Sequence, residues 1–225
     1  MLSHRERTQQ LMTDLLFEVA NHSWEHRNLR ILSGPALTDE IKNAQLAYEQ
    51  VRDELQARQC TGNDGNTLAH EQAPKRLGLM RFPFGACSPA ALNEVAQQGL
   101  LPIQWDVSSG DPTFGHSARA IERQVLANVT PGSIVLFHAN GRGWHTEGAL
   151  PGIIAALKAQ GYEFATVSEL LAAGEPVMTA TCYDSRPNDT DRWPFRRPLP
   201  VADGTSDFGW PWRSTLGRGA AARTR

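Results

Sequence analysis

Long apolar runs are missing from this sequence. No stretch reaches the roughly 18 consecutive apolar residues of a membrane-crossing helix, and the opening Met-Leu-Ser-His-Arg-Glu-Arg has no apolar core like that of a signal peptide. The 225 residues as written therefore read as a chain without a membrane span that works in the cytoplasm. Cysteine is scarce as well. Cys60, Cys87 and Cys182 lie far apart without a Cys-x-x-Cys pair, which excludes a cysteine zinc site and a dense disulfide framework and leaves idle or buried thiols as the expectation. An excess of one charge is also absent: 22 Lys+Arg against 24 Asp+Glu give a net charge of −2, which argues against a general nucleic-acid binder. With 40% hydrophobic and 20% charged residues, the chain is not disordered throughout, and its length suits one domain or one domain with an appendage. No internal repeat is visible.

What is present alternates. Phe17 and Val19 alternate with polar neighbours, predicting a short strand that runs into a loop holding His22 and His26. Thr38 is placed to cap a helix whose residues Ile41, Ala44, Tyr48, Val51 and Leu55 recur at intervals of three and four. Residues 60–76 are polar and turn-rich, which marks a loop. Leu77–Phe82 reads as a strand, Ser88-Pro89 opens a helix to about Gln98, and Leu100–Trp105 reads as a buried strand. After a loop over Asp106–Gly115, a helix from Ser117 to Asn128 presents Ile121, Val125 and Val129. Ser133–His138 is the strongest strand signal and predicts burial on both faces. A helix near Thr146 then carries Leu150, Ile153, Ile154 and Leu157 to Gly161. Tyr162–Val167 reads as a strand and Ser168–Ala173 as a last helical turn. This order predicts an α/β fold with parallel strands and a functional face at the strand C-termini.

Composition changes after Met178. Residues 179–225 hold eight Arg, five Asp, five Pro and three of the six Trp, without amphipathic period. They predict an irregular C-terminal tail behind a folded domain over residues 1–178.

Side chains suited to chemistry gather at the predicted strand ends. His22-Ser-Trp-Glu-His26 is a His-x-x-x-His pair, able to hold one metal if the segment is helical or tightly turned. Arg81, Asp111 and His138 stand at the ends of three other strands. A lone strand-end histidine is usually a packing or surface residue, an Arg81 more often a structural ion pair, and Asp111-Pro112 a common turn. Their convergence on one face is what points to a site.

These motifs resemble the polysaccharide deacetylases with a NodB-homology domain. His22-Ser23-Trp24-Glu25-His26 resembles the family's H-[S/T]-x-x-H motif, Arg81-Phe82-Pro83-Phe84-Gly85 its R-x-P-[Y/F]-G motif, Trp105-Asp106-Val107-Ser108-Ser109-Gly110-Asp111 its W-x-V-D-x-x-D-W stretch, and Ile134-Val135-Leu136-Phe137-His138 its I-V-L-x-H motif. The similarity covers Phe17 to Leu171. It implies a distorted (β/α) barrel and a metal-dependent hydrolase removing N-acetyl groups from amino-sugar polymers or oligomers. His22 and His26 would bind a divalent metal, usually zinc. His138 would protonate the departing amine, Asp111 would tune His138, and Arg81 would orient the catalytic base. The Phe84 N–H would hold the oxyanion, Leu136 would line the acetyl pocket, and Trp105 would join the substrate-binding residues. An N-acetylated carbohydrate is the implied partner, and members of this family are often extracytoplasmic.

The family's first strand, ending T-F-D-D-G-P, has no counterpart before His22, where Asp14 is the sole aspartate. That strand supplies the base and a third metal ligand. Its absence predicts a barrel short of its first strand and little or no activity for the chain as written. Pro112 also replaces a groove tryptophan. The competing expectations are a non-catalytic remnant or carbohydrate-binding protein, and a cyclic-amide hydrolase of the same superfamily.

Overall fold

A computed structural model of the protein describes residues 1–60, 73–139 and 141–179, without the side chains of 58–60. Helix α1 (Arg5–Thr13) has no clear apolar stripe. It is held to the next helix by Gln9, whose Nε2 donates to the Val51 carbonyl at 3.3 Å, and by the Arg5–Glu54 ion pair. Helix α2 (Gly34–Cys60) buries the expected stripe of Ile41, Ala44, Tyr48 and Val51. It begins one turn before Thr38. Pro35 has no N–H to lose and suits a first helical turn, and Gly34 ahead of it takes a φ of +54°.

The strands are shorter than their apolar runs. They are β1 (Leu79–Met80), β2 (Leu101–Pro102), β3 (Val107–Ser108) and β4 (Val135–Leu136). Pro102 cannot donate a further ladder bond, which helps end β2. β3 falls inside the span expected to be loop. β1 pairs with β2 and β3 with β4, both parallel, in the registers Leu79↔Leu101 and Val107↔Val135. The described strands thus form two separate pairs. Neither Phe17–Val19 nor Tyr162–Thr166 is assigned as strand; a single parallel bridge joins Asn21 to Met80 instead. The run around β4 is also less buried than expected. Val135 and Phe137 pack against the second core without full burial.

Four more helices follow the expected order. Ser88 Oγ accepts the Ala91 N–H at 3.2 Å to cap α3 (Pro89–Gln97), and Ser117 Oγ accepts the Ala120 N–H at 3.3 Å to cap α4 (Ala118–Leu126). Helix α5 (Thr146–Ala159) buries Ala149, Ile153 and Leu157, a stripe at intervals of four that leaves Ile154 exposed. Helix α6 (Val167–Ala173) starts with a capping box between Thr166 and Glu169. Its Ser168 N–H donates to Glu18 Oε2 at 2.9 Å, so the last helix returns to the segment leading into His22.

Two cores result. One joins α1, α2, β1 and α3 through Met12, Leu29, Ile41, Tyr48, Val51, Met80, Ala91 and Val95. The other joins α4 and α5 through Ile121, Val125, Ala149, Ile153 and Leu157. Cys87 corrects the expectation of idle thiols: it is disulfide-bonded, its partner's side chain lying outside the described residues. The expected loop at 61–72 and the tail beyond Thr179 also lie outside them. No described helix is long and apolar enough to cross a membrane.

Candidate active site

The first half of the site is a turn after the Asn21 bridge. Asn21 is fully buried; its Nδ2 donates to the Ile41 carbonyl at 3.0 Å, and its Oδ1 accepts the Ser23 N–H at 2.9 Å. Ser23 Oγ in turn accepts the His26 N–H at 3.1 Å. The chain is wound tightly enough to place Ser23 at φ 64° and His26 at φ 58°, a region that costs a non-glycine residue about 1–2 kcal/mol. The pair is therefore tightly turned, not helical, and its imidazole centroids stand 5.0 Å apart. Buried Glu40 on α2 steadies the turn, its Oε2 accepting the Trp24 and Glu25 N–H groups at 3.2 and 3.0 Å.

His22 Nδ1 lies 2.6 Å from the Arg81 carbonyl. A carbonyl only accepts, so Nδ1 carries the hydrogen and Nε2 keeps its lone pair. Burial, and then the nearby Arg81 cation, lower the His22 pKa to about 4. Burial is also the first cause that lowers His26. Neutral imidazoles, one with its tautomer fixed by a second hydrogen bond, are what a metal requires. His22 and His26 fit as two ligands. Among the described residues, no group of three or more His, Cys, Asp or Glu is placed to hold a metal.

Arg81 donates its N–H to the Asn21 carbonyl at 2.9 Å, and its guanidinium stands 5.8 Å over the buried Trp105 ring. Burial lowers its pKa, yet a guanidinium stays charged in proteins. Phe84 sits in a single 3₁₀ turn, Pro83–Gly85, at φ 59°. Its ring lies 4.7 Å from that of His26. Gly85 can only be glycine: at φ +65°, a Cβ there would lie 2.7 Å from Gln104 Nε2 and 2.9 Å from the Trp105 ring.

The second half is a hydrogen-bonded knot around Asp111, whose exposure is 0%. Asp111 Oδ1 lies 2.8 Å from His138 Nδ1 and accepts from Ser109 Oγ at 2.9 Å. Oδ2 accepts the His138 N–H and the Thr146 hydroxyl, each at 2.7 Å. Burial alone would raise the Asp111 pKa; the bonds from the His138 ring, Thr146, the His138 N–H and Ser109 together bring it below the ordinary value. The carboxylate is thus ionised and acceptor-only, which directs the Nδ1 hydrogen of His138 toward it and leaves Nε2 outside that bond. Leu136, half-buried on β4, precedes His138 by two residues.

The halves share one electrostatic neighbourhood: Arg81 and His138 both act on the charge of His22 and of His26. Several residues of this arrangement carried little sequence signal. Thr146 passed as a helix start, and Glu40 belonged to no motif. Gly143 is required because an added Cβ would run into the His138 carbonyl, the Thr146 hydroxyl and, at 2.8 Å, Asp111 Oδ2. Asn21 and Ser109 could have been found. Each stands one or two residues before a motif residue and has a side chain that commonly folds back on its own backbone.

No protein-family model matches the chain. Curated relatives do. A peptidoglycan-N-acetylglucosamine deacetylase from Listeria monocytogenes is 31% identical over 166 residues, 74% of this chain and 29% of that protein. Another of the same description from Bacillus cereus is 30% identical over 155 residues, 68% of this chain and 48% of that protein. The chain thus spans less than half the length of these relatives. Among solved structures, a CE4 family pseudoenzyme from Bacillus anthracis has a similar fold. Its TM-score is 0.59 at 23% identity, over 76% of this chain and 51% of that one.

Proposed function

Because this chain belongs to the polysaccharide deacetylase family with its NodB-type fold, we propose that it is built to hydrolyse the N-acetyl groups of amino-sugar polymers or oligomers, a non-peptide C–N bond. The observation that carries this reading is the His138–Asp111 pair at 2.8 Å, in the same neighbourhood as His22, His26 and Arg81.

His138, with Asp111 fixing its Nδ1 side, gives a proton from Nε2 to the departing amine nitrogen. Thr146 and Ser109 hold the carboxylate in place. The Phe84 N–H donates to the oxyanion that forms on the acetyl carbonyl, Leu136 and Trp105 border the substrate, and Arg81 would orient a carboxylate base once one is supplied. A divalent metal, zinc being the usual choice for two neutral imidazoles, would be held by His22 and His26 and polarise the amide carbonyl. The working domain covers residues 1–178, as part of a distorted (β/α) barrel, with 179–225 as its tail. The disulfide at Cys87 favours an oxidising compartment over the cytoplasm.

A second reading, a carbohydrate-binding remnant without turnover, is favoured by one observation: no third metal-ligating side chain accompanies the histidine pair among the described residues. Zinc titration and acetate release from the N-acetylglucosamine pentamer separate the two. Weak zinc binding that His22→Ala abolishes is expected. Acetate release should lie near background, rise when formate is supplied as a free carboxylate, and fall back in His138→Asn. Zinc binding indifferent to His22→Ala, or release indifferent to His138→Asn, would overturn the deacetylase reading; sugar binding with no release under any of these conditions would establish the remnant.

A further inference from the structure

Phe114 and Trp144 belong to neither core, yet they face each other edge-on, ring centroids 6.0 Å apart at 90°. Phe114 is 88% exposed and Trp144 46%. Large aromatic rings left in water at this level add little to folding beyond the roughly 0.5–1.5 kcal/mol of their mutual contact. Their positions are nevertheless fixed. Phe114 rides a short loop closed by the Thr113 N–H on the Gly110 carbonyl and the His116 N–H on the Thr113 carbonyl, both 3.1 Å. The Trp144 N–H donates to the Asp111 carbonyl at 3.0 Å. Trp144 is thus tied to the residue whose carboxylate holds His138, and the Phe114 loop starts at its neighbour Gly110.

We propose that Phe114 and Trp144 form a sugar-stacking corner that seats a pyranose ring of the polymer next to the unit presented to His138. This rests on the carbohydrate reading above and extends it to a site. The chemistry is that of a pyranose ring: its axial C–H bonds make an apolar face that lies on an aromatic ring, while its hydroxyls stay in water. An edge-to-face pair offers a ring face and a ring edge at a right angle, a corner suited to one sugar unit of a chain. Stacking of this kind reads the ring and not the acetamido group.

The test uses the whole chain and two probes, the N-acetylglucosamine pentamer and cellopentaose, followed by the indole N–H signals of the six tryptophans with Trp144→Phe as assignment control. The Trp144 signal is expected to move with both oligomers. Phe114→Ala and Trp144→Ala should each weaken binding of both by about tenfold, while Trp144→Phe should retain most of it. Because both side chains are exposed, melting temperatures should hold. Unchanged affinity in the two alanine variants overturns the corner and leaves the deacetylase reading standing. A Trp144 signal that moves with an apolar peptide but with neither sugar assigns the pair to a protein partner and overturns it too. Failure of the deacetylase reading shows differently, as zinc and acetate results that fail while the oligomers still move Trp144.

Discussion

The two halves of the site are held by opposite means. The histidine turn rests on the larger core, where Asn21 reaches Ile41 and Glu40 reaches the turn from α2. The His138 half stands beside a smaller core of α4 and α5, and its precision comes from four hydrogen bonds onto one buried carboxylate. The first half spreads its polar contacts over several residues seated on a large apolar core, and the second concentrates them on one carboxylate. A packed core yields gradually to substitution, because neighbours can relax into a gap. A polar knot yields abruptly, because each orphaned donor is left without water.

The sharpest way to break the comparison is Asp111→Ala. It orphans the His138 N–H and two hydroxyls at once, and a loss of about 3–5 kcal/mol is expected, from about 1–3 kcal/mol for each buried donor left unpaired. Urea unfolding measures it; a loss below about 1 kcal/mol would mean that the knot is not what holds this half. Next in size are matched core truncations. Ile41→Ala and Ile121→Ala both remove a fully buried side chain. Each should cost about 2–5 kcal/mol, with Ile41 at the upper end because more packed neighbours resist collapse around it.

Acid should separate the halves by pH window. His22 is lowered to about 4 in the folded protein from an ordinary 6.5, so the unfolded chain binds the extra proton between those values. Stability present above 6.5 is lost as the pH falls toward 4, at up to about 1.4 kcal/mol per pH unit. Asp111 is lowered from 3.8, so its contribution is full above 3.8 and is lost only below it. Urea midpoints across pH 7 to 3 should show the first loss, and His22→Asn should flatten it. The smallest effect is expected at the helix caps: Ser88→Ala and Ser117→Ala should each cost about 1 kcal/mol, nearly equal in the two halves because a cap is a local bond. Thermal melts compare them directly.

The sequence was most readable where one local pattern decided the outcome. Ser88-Pro89 marked the start of α3, and the Ile41-to-Val51 stripe marked the buried face of α2. It was least readable where distant partners decided. Val107–Ser108 became a strand because Val135–Leu136 lies beside it, and Thr146 acquired its role through Asp111, 35 residues earlier in the chain. The strand-end rule brought His22, His26, Arg81, Asp111 and His138 toward one region, since parallel strands deliver their C-terminal residues to one face. It could not foresee that Glu40 and Asn21, from outside the motifs, would shape the histidine turn. Nor did the spacing of three cysteines foretell the disulfide at Cys87.

His26 and Phe84 share left-handed backbone angles that glycine would adopt without steric strain. Variants selected only for resistance to heat should therefore accumulate glycine at these positions, while variants selected for ligand binding should retain the side chains. The protein's thermal optimum and its functional optimum are different sequences, and they part company at the turns where a ligand would make contact.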